Sequence, residues 1–262
     1  MRPVTTSDIG RLSQLLAVMM LSLPSWSQTR AFHPDSINPA VIVEVGGGIA
    51  LPGADLAKRF GLNGLAGLGV GTKTANNWYF KTDGSFLFGS DVKEDSLLRG
   101  ISTDSGFVIG LDGFLYEPLI YERGFLLSVG GGRILSLSAR YPNSGVMIGL
   151  RASFLQHKIL YSTKAKENLP QLSTEMRKGY DRLTNGFGLT QEVAWHQMSR
   201  SGLINFRIGL EITEAFTRSR RPFNYDTMSS DDESRLDLLF ALKFTWMLPI
   251  WLGQRDRVIY YE

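Results

Sequence analysis

The chain has 262 residues, with 28 Lys and Arg against 25 Asp and Glu, 28 glycines and no cysteine. The missing cysteine excludes a disulfide scaffold, a thiolate metal site, a thiol nucleophile and a lipidated cysteine anchor. The even charge balance argues against nucleic acid as a partner, and the ordinary apolar content argues against disorder.

Residues 1–27 read as an export signal. Arg2 and Arg11 flank a polar start, and the apolar run Leu15–Leu21 follows. Pro24 then precedes Ser25-Trp26-Ser27, whose small residues fit a signal-peptidase site and place the mature start at Gln28. The apolar run is too short to span a bilayer as a helix, which needs about 20 apolar residues. No later stretch is long enough either. A membrane protein of this sequence must therefore be a closed barrel, whose strands show lipid only alternate residues. Residues 28–262 are then one barrel domain.

The predicted strands alternate between two faces. Val41–Ala50 and Leu62–Thr72 are glycine-rich strands, separated by Pro52–Phe60, which reads as a loop with one helical turn. Trp78, Phe80, Phe86 and Phe88 then oppose Tyr79, Lys81, Asp83 and Ser85. Asp91–Ser105 is an expected outer loop. In Gly106–Leu137 the signals Asp112-Gly113 and Glu122-Arg123-Gly124 allow two strands or three. Val146, Ile148, Leu150, Ala152 and Phe154 oppose Arg151, Ser153 and His157. A long polar loop over Ser162–Gly179 follows. In Asp181–Gln197, Leu183, Phe187, Leu189, Val193 and Trp195 oppose Arg182, Thr184, Thr190, Glu192 and His196. A short turn at Ser199–Gly202 leads into Leu203–Thr213, with its apolar residues at even positions. After the long polar loop over Thr217–Ser234, all even positions of Arg235–Ile250 are apolar. Residues 251–262, with Tyr260 and Tyr261, form a tail beyond that strand.

Together these segments predict an all-β, antiparallel up-and-down transmembrane barrel of eight strands, or ten, with a filled polar lumen. Period 2 over Arg235–Ile250 exceeds the usual soluble strand of about 5–6 residues. A soluble sandwich also alternates. Its polar face looks at bulk water, where glycine weakens a strand to no benefit, whereas a narrow lumen needs small residues beside long ones. Short turns at one end and long loops at the other match an outer-membrane barrel.

Three segments carry a family resemblance: Gly179-Tyr180-Asp181-Arg182-Leu183-Thr184-Asn185-Gly186, Phe154-Leu155-Gln156-His157-Lys158-Ile159 and Arg235-Leu236-Asp237-Leu238-Leu239. The chain resembles the PorT-like outer-membrane barrels of Bacteroidota from about Val41 onward. That resemblance implies the Gram-negative outer membrane and membership of a group mostly without assigned activity, some of it implicated in secretion or envelope assembly. Such barrels commonly end on an aromatic residue closing the last strand; here a tail follows instead.

Strand parity points Glu44, Lys81, Asp83, Arg151, His157, Arg182, Glu192, His196, Arg207, Glu211, Asp237 and Lys243 into the lumen. An eight-stranded barrel is just filled by its side chains, and buried charges must be paired. A structural ion-pair core is the expectation, with Glu192 pairing diagonally to Arg207 across the Ser199–Gly202 turn. Mixed signs disfavour a selective pore. His157 with Ser153, and His196 with Glu192 and Ser199, fall short of a catalytic constellation, which needs a nucleophile, a base and a group orienting that base. No cofactor and no metal are expected. Arg218, Arg220 and Arg221 cluster at an outer strand end, where they can grip anionic lipid or be neutralised by Asp231, Asp232 and Glu233. The expected role is structural or complex-forming, with outer-membrane lipid and an envelope protein complex as partners. A narrow channel or small-solute transporter is the alternative, and a lipid-modifying enzyme comes third.

Overall fold

A computed structural model describes residues 37–94, 97–162, 169–199 and 204–252. The expected leader and most of the tail lie outside the described residues, as does most of the Ser199–Gly202 turn.

Eight long strands close into a barrel: β1 (Ala40–Ala54), β2 (Asn63–Lys73), β3 (Trp78–Gly89), β6 (Leu119–Ser136), β7 (Gly145–Ser162), β8 (Thr184–Met198), β9 (Asn205–Ser219) and β10 (Ser234–Trp251). Each pairs antiparallel with its chain neighbours. The ring closes between β1 and β10, from Ala40 opposite Trp251 to Ala54 opposite Asp237. The strands run from 11 to 18 residues, long enough to cross a bilayer at a tilt. Two further strands, β4 (Val108–Ile109) and β5 (Leu115–Tyr116), form a small ribbon in the loop before β6.

That ribbon resolves the region 106–137, which supplies one barrel strand. Asp112-Gly113 does turn the chain, with Gly113 at φ +78°, but it turns the ribbon. Glu122-Arg123-Gly124 is no turn. It lies inside β6, where Glu122 faces inward and accepts a hydrogen bond from Asn63 Nδ2 at 2.5 Å. Gly124 is required there because a Cβ would stand 2.4 Å from the Gln156 carbonyl oxygen. The helical turn expected after Pro52 is a single 3-10 turn at Leu56–Lys58.

The two ends differ. At one, β2 passes to β3 through a tight turn in which Asn77 takes φ +62°, a conformation that asparagine tolerates. At the other, the connections 90–118, 163–183 and 220–233 are long. The outward face is an apolar belt. Its even positions on β10 include Phe240, Leu242, Phe244, Trp246, Leu248 and Ile250, all exposed. Toward the loop end, Phe86 and Phe125 are register partners, as are Phe154 and Phe187, and Phe187 and Phe216. The rings of Phe125, Phe154 and Phe187 stand 5.9 and 5.1 Å apart in succession. Trp78, Trp195 and Trp246 lie toward the short-turn end. An apolar belt between aromatic girdles is the outer surface of a membrane-spanning barrel.

Candidate functional site

The inward face carries a charged layer. Glu44, Asp83, Glu192 and Glu211 meet Lys81, Arg151, Arg207 and Lys243, four of each sign. Glu192 and Glu211 are direct register partners, an unfavourable juxtaposition of like charge. Arg151 resolves it. Its guanidinium pairs with Glu192 and reaches Glu211 at 3.0 Å and Asp83 at 3.6 Å. Lys81 Nζ sits 3.0 Å from Glu192, and Lys243 Nζ 3.2 Å from Glu211. Arg207 forks between Glu192 at 2.9 Å and Glu44 at 2.7 Å. The expected pair between Glu192 and Arg207 is thus present, with the long arginine bridging a register offset of four residues rather than the two of a diagonal. Tyr79 Oη donates to Glu44. Glycine makes the room: a Cβ on Gly69 would lie 3.0 Å from Asp83 Cβ and 3.4 Å from a Glu44 oxygen. The cavity beside Glu44, Asp83, Arg207 and Lys243 measures about 10 Å³, roughly one water.

Polar and apolar layers cover this network. A row of hydroxyls crosses four strands, with Ser128–Ser153 at 3.1 Å, Ser153–Thr190 at 2.6 Å and Thr190–Thr213 at 2.8 Å. Toward the short turns, Ile42, Ile134, Met147, Met198 and Met247 cluster, and Lys73 Nζ donates to Asn143 Oδ1 at 2.8 Å. Toward the long loops, Leu65, Leu87, Leu126, Leu155 and Leu239 form one buried cluster with Leu56, Phe60, Leu97, Leu98 and Leu172, which the loops supply.

The histidines separate. His157 Nε2 lies 3.0 Å from Asp237 Oδ2, which also accepts from the Thr217 hydroxyl at 2.5 Å. The Phe60 ring meets His157 edge-on at 5.5 Å. Ser153 is not its partner, being tied to Ser128 and Thr190. His196 is fully buried, 5.9 Å from the Tyr79 ring, and neither of its ring nitrogens has a hydrogen-bond partner among the described residues.

Arg182 is a correction. It precedes β8, takes φ +49° and turns away from the charged layer. It binds Glu94 at 3.1 Å and Asp226 at 2.5 Å among the long loops. Arg59 joins Glu94 at 3.0 Å and Asp231 at 3.7 Å, and Asp231 holds Arg235 at 2.7 Å. This second network ties together the connections of four strand pairs, β1–β2, β3–β6, β7–β8 and β9–β10. Arg221 also leaves the expected basic trio, because Asp181 takes its guanidinium in two hydrogen bonds. Arg218 and Arg220 stay exposed, donating to the Asp232 carbonyl at 2.9 Å and to Asn185 Oδ1 at 2.6 Å.

Tyr79, the four hydroxyls and the Asn63–Glu122 pair belong to the lumen as well. Strand parity was the signal for each: all lie in register with the charged positions of their own strands.

No protein-family model and no curated protein matches the chain. Solved structures that align with it include Ail, the attachment invasion locus protein of Yersinia pestis, at 11% identity, 80% of this chain, 98% of that chain and a TM-score of 0.38. Neisserial surface protein A aligns at 9% identity, 79% and 96% coverage and a TM-score of 0.38. The outer membrane protein OprG from Pseudomonas aeruginosa aligns at 12% identity, 82% and 99% coverage and a TM-score of 0.33. Likeness at this level says nothing about activity, ligand or partner, and the fold rests on the strand pairing given above.

Proposed function

We propose that the protein is a plugged outer-membrane barrel that works as a structural or interaction subunit of an envelope assembly or secretion complex, and that it is not an enzyme. The observation that carries this reading is the lumen. Its central acids and bases pair in one network, the cavity beside that network holds about one water, and apolar loop residues cover one end. Such an interior supports a scaffold rather than a conduit. The apolar belt, the girdles and the one-sided long loops support the outer membrane. The resemblance to PorT-like barrels of Bacteroidota supports the envelope-complex part, and export by the leader at 1–27 belongs to the same proposal.

One feature of the belt supports a partner within the bilayer. Gln191 and Glu214 face outward between apolar neighbours, with Gln191 Nε2 3.4 Å from Glu214 Oε1. An ionisable group at membrane depth is costly and usually has a partner. The test is affinity purification from native outer membranes in mild detergent, followed by native mass spectrometry. A stoichiometric envelope protein is expected with the wild type and is lost from Glu214→Leu. A clean monomer would overturn the complex-forming role. Stable conductance steps in planar bilayers would replace the scaffold with a channel.

A further inference from the structure

The outward face carries a second pattern, two residues beyond the aromatic girdle. Moving along each strand from the girdle toward the long loops, Phe125 gives way to Arg123, Phe154 to Gln156 and Lys158, Phe187 to Asn185, and Phe216 to Arg218. Register makes these positions a continuous row. Arg123 is opposite Lys158, Gln156 is opposite Asn185, and Asn185 is opposite Arg218. Directly opposed side chains have Cβ atoms about 4.5–5.5 Å apart, so neighbouring groups can share one ligand. Asn185 Nδ2 donates to Gln156 Oε1 at 3.3 Å, and Arg220 donates to Asn185 Oδ1, which draws a further guanidinium to the row.

None of the four cations forms an ion pair among the described residues. Arg221, which strand-end position alone would include, is taken by Asp181. The row is also one-sided. It spans β6 to β9, whereas the outward residue opposite Arg218 on β10 is Ser234 and the one opposite Arg123 on β3 is Phe88, both exposed and uncharged. A ring of solvating charge would not stop halfway round the barrel.

We infer that Arg123, Lys158, Arg218 and Arg220 hold the phosphate groups of an anionic lipid headgroup, with the lipid chains lying along Phe125, Phe154, Phe187 and Phe216. Cations just above an apolar belt face the phosphate level of a bilayer, and guanidinium forks match phosphate oxygens. The long stems of Arg123 and Lys158, both half-buried, cover apolar surface while their heads stay polar. This inference rests on the membrane reading proposed above.

The experiment uses the full chain and two kinds of phosphatidylcholine vesicle, doped with phosphorylated lipid A or with its dephosphorylated form. Flotation in undoped vesicles is measured first. Lipid retained after detergent extraction is then counted by native mass spectrometry. The wild type is expected to float and to retain the phosphorylated lipid preferentially. The triple variant R123Q/K158Q/R218Q still floats but loses that preference, by about fivefold for each cation removed. R133Q, which removes an outward arginine near the other girdle, retains it. Equal retention of the two lipids by the wild type, preference surviving in the triple variant, or an equal loss in R133Q overturns the inference. Failure of the wild type to float overturns the membrane reading itself.

Discussion

Arg207 shows what a single lumen residue does. It lies on β9 and joins Glu44 on β1 to Glu192 on β8. Removing one partner of a buried pair leaves uncompensated charge, at a cost of about 3–5 kcal/mol. Arg207→Met should therefore lower the urea midpoint strongly. Adding Glu44→Gln should recover part of the loss, because one orphaned carboxylate is then neutral. Strict additivity of the two would show that the residues act independently. Glu214 should behave in the opposite way. As a lipid-facing carboxylate it opposes stability in the isolated barrel, so Glu214→Leu should raise the unfolding free energy by about 1 kcal/mol, and the midpoint with it. A lower midpoint would mean that Glu214 supports the fold of the single chain. The lumen residues were readable because polar parity marks the inward face. Arg182 was not, since parity stops carrying information where the strand ends, and its left-handed backbone turns the side chain toward Asp226.

The loops behave as elements with chemistry of their own. Asp231 sits between Arg235 and Arg59. Burial raises its carboxyl, but the hydrogen bond and charge of Arg235, with that of Arg59, outweigh burial and hold it below its ordinary value of 3.8. A carboxylate depressed in the folded state contributes stability above its unfolded value, and that contribution is lost as pH falls through the folded value. The loop 220–233 should therefore become more sensitive to pepsin as pH drops below 3.8, relative to an unfolded control substrate. Asp231→Asn should be sensitive already at about pH 5 and show little further change. Unaltered cleavage in the variant would separate this contact from loop order. Sequence reading found these loops by their polar composition. It did not find the apolar plug, because Leu97, Leu98 and Leu172 are isolated in polar surroundings and only the closed barrel gives them a common place to pack.

For the whole molecule, outward and inward chemistry follow from one period-2 rule, which is why the barrel was legible strand by strand. Strand number was less legible. Glu122-Arg123-Gly124 has turn composition, and only the close approach of Gln156 explains why that glycine belongs inside β6. The filled interior sets a functional expectation at this scale: purified protein in planar bilayers should show no stable conductance at moderate voltage. Discrete, reproducible steps would show that the charged layer opens.

The charged layer also constrains how the chain can assemble. Its ion pairs link residues far apart in the sequence: Glu44 with Arg207, Asp83 with Arg151 and Lys243, Lys81 with Glu192. Hairpins of adjacent strands neutralise only part of the layer: Arg151 pairs with Glu192 across β7 and β8, and Lys243 with Glu211 across β9 and β10, whereas Glu44 on β1 meets Arg207 on β9 only in the closed ring. An open, half-formed sheet in lipid would carry bare carboxylates and guanidinium groups on the face that is to become the interior. Contacts so distant along the chain slow folding, and here they leave no comfortable halfway state. Complete neutralisation of the layer therefore waits for ring closure, which makes closure the step that readies the barrel for the bilayer.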